Sequence, residues 1–110
     1  MAFVRKKVKT FKWPVEVKEP SETQAGVFET HEFTAVFNRV SRSVITKMVD
    51  EDENTLLSLI LAGWEGIEDE SGKAITFNSK NLSELADDPY WIKSVLSAYS
   101  ATYSEAELGN

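Results

Sequence analysis

Cysteine is absent from this chain, and histidine occurs only once, at position 31. Without thiols there is no disulfide, no thiolate nucleophile and no cysteine-bound zinc, which suits a reducing cytoplasm. One imidazole could serve one serine triad, but no nucleophile-elbow pattern accompanies it. His31 lies in a strand-like segment, where a lone histidine is ordinarily a surface or half-buried residue. The five glycines are scattered, so neither a phosphate-cradling loop nor a dinucleotide fingerprint is present. No apolar run approaches the roughly 20 residues of a membrane span. The opening residues Met1 to Lys7 carry charge with no apolar stretch behind them, unlike a secretory signal. The acidic runs Asp50-Glu51-Asp52-Glu53 and Glu68-Asp69-Glu70 lack the spacing of a calcium loop and read as solvated turns and helix starts. The expectation is a protein that is not an enzyme, holds no cofactor or metal, and has no catalytic residues.

What is present is the material of one folded domain. The chain has 110 residues, of which 42% are hydrophobic and 11% aromatic, enough for a single core. Its net charge of −6 is unevenly spread: +5 over residues 1–18 and −11 over the rest. A basic arm invites a nucleic-acid reading, as do Phe11, Trp13, Phe28, Phe33 and Phe37 interleaved with lysines. The acidic body would repel phosphates, however, and aromatics of this kind bury large apolar areas. Lysines on the wet face of a strand or a blunted sheet edge explain the arm better. The same asymmetry permits contact between copies.

Residues Val4 to Val17 alternate in the manner of a strand, with Pro14 marking a bend, a bulge or an edge. Lys18 to Gly26 reads as a loop and Val27 to Val36 as a second strand, which makes an antiparallel hairpin. Ser41 or Ser43 can cap a helix bearing Val44, Ile45, Met48 and Val49. Asn54 to Gly63, with Leu56, Leu57, Leu59, Ile60 and Leu61, predicts a helix apolar nearly all round. Asn78 or Ser79 caps a short helix through Ala86 carrying Leu82 and Leu85. Asp88 and Pro89 open a last helix bearing Trp91, Ile92, Val95, Leu96, Tyr99 and Tyr103 on one face. The fold class is α+β: an N-terminal antiparallel β-hairpin or small sheet (1–37), then about four helices packed as a small bundle (38–104). Residues 105–110 are expected to fray.

Between the apolar helix and the helix capped at Asn78 lies the segment that discriminates most. In Trp64-Glu65-Gly66-Ile67-Glu68-Asp69-Glu70-Ser71-Gly72-Lys73-Ala74-Ile75-Thr76-Phe77-Asn78, Gly66 and Gly72 supply backbone angles a side chain would forbid. Trp64, Ile67, Ile75 and Phe77 are the apolar pins that would hold such a connector against a core. The order of tryptophan, glycine, aliphatic, acidic turn, glycine, aliphatic, phenylalanine and helix resembles the middle of phage tail assembly chaperones of the long, non-contractile tail type (siphovirus-like phages or prophages). The likeness extends from Phe33 to Asn110 and includes the apolar helix before the tryptophan and the tyrosine-bearing helix at the end.

That resemblance implies a protein that binds the tape measure protein, keeps it soluble and helps recruit major tail protein during tail morphogenesis. It implies a place in the host cytoplasm and absence from the mature virion. It also implies a longer form made by ribosomal frameshifting, for which the end near Leu108-Gly109-Asn110 would be the place. A head-tail connector or tail-completion protein is the alternative, and a small nucleic-acid-binding regulator the more distant one. The residues themselves point to a homo-oligomer with no nucleic-acid or membrane partner. Leu56, Leu57 and Ile60, with the Trp91, Val95 and Tyr99 row, form the candidate partner surface, since one small domain has limited interior for so much apolar area.

Overall fold

A computed structural model of the chain describes residues 2–4, 8–48 and 51–108. Its elements are β1 (Thr10–Pro20), β2 (Phe28–Asn38), α1 (Arg42–Met48), α2 (Glu53–Ile60), β3 (Leu61–Glu65), α3 (Ser79–Ala86) and α4 (Pro89–Leu108). The strands form one antiparallel sheet in the order β1-β2-β3. The α+β class and the N-terminal hairpin are present, with a third strand beyond the expectation.

The hairpin register follows from alternation. Phe11, Trp13, Val15 and Val17 fall on one face of β1, opposite Phe37, Ala35, Phe33 and His31 of β2. Successive side chains point to opposite faces, so the apolar set lines one side and Lys12, Pro14, Glu16 and Lys18 the other. At its far end Ser21 N–H donates to Val27 O at 2.8 Å, and Gly26 takes a φ of 75° to turn the chain. β1 therefore continues through Lys18 and Glu19 to Pro20, where the sequence predicted a loop. Its start is at Thr10 rather than Val4, and Arg5, Lys6 and Lys7 lie outside the described residues.

Proline is tolerated inside β1 for a reason that the hydrogen bonds supply. Arg39 N–H donates to Lys9 O at 2.8 Å just before β1, and Ser21 N–H to Val27 O just after it. Both pairs share the register of the ladder, so the odd-numbered residues of β1 bond to β2. The even-numbered ones, Pro14 and Pro20 among them, turn their backbone groups to the free edge. Neither proline removes a bond from the sheet.

The largest correction concerns Leu61 to Trp64. The helix expected to run to Gly63 ends at Ile60, and the chain turns extended at Leu61 (φ −106°, ψ 120°). Leu61, Gly63, Trp64 and Glu65 pair instead with Phe37, Val36, Ala35 and Thr34 of β2, across a bulge at Val36 and Phe37. An unsatisfied sheet edge outweighs the helix preference of a few leucines, since propensity is the weaker term. This strand carries Trp64 to the sheet.

The helix starts follow the local chemistry. Ser41 Oγ accepts from Val44 N–H at 3.4 Å, Asp52 from Thr55 N–H at 2.7 Å, Asn78 from Asn81 N–H at 2.8 Å and Asp88 from Tyr90 N–H at 2.9 Å. The bond from Thr55 holds the Asp52 carboxyl below its ordinary range. α4 runs on to Leu108, into the stretch expected to fray. Of the expected α1 stripe, Val44 and Ile45 are half-buried, and Val49 lies outside the described residues.

The helices do not make a bundle of their own. α4 crosses the apolar face of the sheet, closest to β1, with α3 beside it, and the core lies between α4 and the strands. Phe33 stacks on Trp91 with centroids 6.0 Å apart, and Phe37 meets Tyr99 edge-on at 5.0 Å. Tyr99 reaches past the core to donate its hydroxyl to Asn38 O at 3.0 Å, and burial pushes its phenol pKa up. No helix among the described residues is long and apolar enough to cross a membrane.

Candidate functional site

Two places in the chain were expected to matter, the tryptophan connector and an apolar partner surface. The structure assembles the first. Trp64 Nε1–H donates to Ile75 O at 2.7 Å, and Ile75 N–H donates back across the loop to Ile67 O at 2.9 Å. Phe77 packs edge-on against the Trp64 ring, with centroids 4.8 Å apart, and Trp91 meets it edge-on at 6.1 Å. Gly66 and Gly72 have φ values of 86° and 84°, the left-handed region in which a Cβ is strained. Trp64, Gly66, Ile67, Gly72, Ile75 and Phe77 thus form one connector, pinned by an indole that is buried and hydrogen-bonded.

The acidic turn is organised from within. Asp69 Oδ1 accepts from Ser71 Oγ at 2.6 Å, Ser71 N–H at 2.9 Å and Lys73 N–H at 3.0 Å. The Ser71 hydroxyl first, and then the Lys73 amide, hold the Asp69 carboxyl below its ordinary pKa. A carboxylate so occupied is a loop organiser. Among the described residues no group of three or more His, Asp or Glu side chains is arranged to hold a metal ion.

The second expectation is overturned. Leu57, Ile60, Trp91, Val95 and Tyr99 are all buried in this chain's own core, leaving only Leu56 of that set half-exposed. The reason is the third strand: with Leu61 to Glu65 in the sheet, α2 is drawn against β2, β3 and α4, and its apolar side faces inward. Trp91 is the odd member of that interior. Its Nε1–H is buried without a hydrogen-bond partner, a local cost of desolvation.

The apolar surface that remains is elsewhere. Leu59 stands outward on α2 beside Leu56, one turn away. Val27 and Phe28 stand outward near the hairpin tip, Phe28 being 65% exposed. A groove of about 700 Å³ runs between β1 and α4, with Trp13, Pro14, Phe28 and Tyr90 as apolar walls and Glu16, Lys18, Glu32 and Lys93 around them. His31 lies on the inner side of the hairpin arm, its Nε2 3.3 Å from a Glu19 carboxylate oxygen and 4.0 Å from one of Glu29. Hydrophobic patterning could not reveal these surfaces, because Phe28 and Leu59 read as core letters until the register sets their direction. In comparisons with protein-family models, with curated proteins and with solved structures, nothing matched this chain.

Proposed function

We propose that this protein is a phage tail assembly chaperone that holds helical segments of a tape measure protein in solution and helps recruit major tail protein during tail morphogenesis. The observation that carries the reading is the segment from Trp64 to Asn78, together with the tyrosine-bearing helix that follows. Its letters resemble the middle of that family, and its residues act together as a pinned connector without any reactive group. A chaperone of this kind needs surface and no chemistry.

The surface assigned to the partner shifts with the burial pattern. Leu56 and Leu59 present an apolar row on α2, spaced to meet an amphipathic helix. Val27 and Phe28 at the hairpin tip form the secondary contact. Co-expression with the tape measure protein of the same genome is the direct trial. Soluble complex is expected with the parent and less of it with Leu56→Asp/Leu59→Asp. If the tape measure protein is equally insoluble with and without this chain, the chaperone reading fails. A closed ring incorporated into finished virions would favour a head-tail connector or tail-completion protein instead.

A further inference from the structure

The free edge of β1 offers an unusually specific set of backbone groups. Lys12, Glu16 and Lys18 turn their N–H and C=O groups away from β2, while Pro14 and Pro20 have no N–H to turn. Between the two prolines lies Val15-Glu16-Val17-Lys18-Glu19, with just two outward donors, at Glu16 and Lys18. Among the described residues no strand pairs with this edge, and the groove beside α4 runs along it.

We infer that a second copy of this chain pairs there, β1 against β1 in antiparallel fashion about a two-fold axis at Val17. In that register Glu16 faces Lys18 of the partner copy and Lys18 faces its Glu16, so every outward N–H between the prolines finds a carbonyl. Pro14 faces Pro20 at either end, so no donor is orphaned and the ladder stops. The two sheets become one of six strands.

Charge selects this register over its neighbours. Sliding the partner by two residues sets Glu16 against Glu16 in one direction and Lys18 against Lys18 in the other, each a like-charge pair. Centring the ladder on Pro14 drives two pyrrolidine rings into the middle of a bonded run. It also draws Lys12 from Glu65, to which it is bonded at 2.7 Å. Within the single chain, Glu16 already stands directly opposite Glu32, an unfavourable pair on the outer face. A lysine from the partner copy relieves it. The patch carries both signs, as a self-complementary surface on an acidic molecule must.

The inference concerns the purified chain alone and does not depend on the tape measure protein. Sedimentation equilibrium should find a dimer for the parent. Glu16→Lys and Lys18→Glu should each weaken it about tenfold or more, and the double variant should recover most of the loss. Glu16→Lys exchanges a like-charge pair with Glu32 for an opposite one, so the monomer stays folded. Because the chain has no cysteine, single substitutions report the register directly. Val17→Cys should cross-link to itself on oxidation, since facing residues of a non-bonded pair lie about 4.5 Å apart at Cα, within disulfide reach. Pro14→Cys should not. A parent that stays monomeric at high concentration, a charge swap that fails to rescue, or cross-linking at Pro14→Cys in place of Val17→Cys would overturn the pairing.

Discussion

The two halves of the hairpin share one ladder and live in different surroundings. From Thr10 to Val17, and back from Phe33 to Asn38, the inner face is covered by α4, and Val15, Phe33, Ala35 and Phe37 are buried. From Lys18 to His31 the same alternation continues with scarcely a buried side chain, and the inner face carries Glu19, Glu29 and His31. Strand geometry is therefore set by hydrogen bonding and register, while burial is set by what lies across the face. The proximal half supplies the core. The distal half is an arm that reaches beyond it and exposes Val27 and Phe28.

The sharpest way to break that comparison is to truncate a phenylalanine in each half. Phe37→Ala should cost about 3–5 kcal/mol and lower the melting temperature steeply, and Trp64→Ala belongs in the same range. Phe28→Ala should stay within about 0.5 kcal/mol of the parent. Equal losses at Phe37 and Phe28 would mean that the arm is packed after all.

Next in size are the two tryptophans of the core. Trp64→Phe removes a hydrogen bond and strands the Ile75 carbonyl, whereas Trp91→Phe removes a donor that has no partner. Denaturant melts should place Trp64→Phe lower by about 1–2 kcal/mol. A loss of similar size, about 1–2 kcal/mol, is expected of Gly66→Ala, from forcing a Cβ into the left-handed region.

The smallest effect is that of pH on the connector. Hydrogen bonds depress Asp69 in the folded state, so its contribution is fully present above the ordinary aspartate value of about 3.9. It is lost as pH falls through the lower folded value. Thermal melts taken downward from pH 5 should show Asp69→Asn with a shallower decline than the parent. An identical slope would remove Asp69 from the account of the loop.

Much of this architecture was legible in the residues. Pairing of two alternating segments gave the hairpin, and Asn78, Asp88 and Pro89 announced their helices through local chemistry that needs no tertiary information. The connector was legible too, because positive-φ glycines and apolar pins leave marks in sequence. Leu61 to Glu65 was not. Leucine, alanine and tryptophan satisfy a helix pattern as readily as a buried strand, and only the open edge of β2 decides between them. That one misreading also moved the candidate site, since a helix apolar on all sides suggests a partner, whereas an α2 ended at Ile60 turns Leu57 and Ile60 into the chain's own interior. The direction of Phe28 depended likewise on a register that no single strand contains.

The lone imidazole on the arm has a practical consequence. Because His31 is the sole histidine, its two carbon-bound ring protons give the one pair of imidazole signals in a proton NMR spectrum of the whole chain. The ring lies on the inner side of the arm, against Glu19, and lines a shallow pocket together with Gly66 and Ile67 of the connector. Adding a candidate partner and watching those two lines therefore asks a single question of the molecule, whether anything has come to rest along the arm or against the connector beside it, without an altered residue.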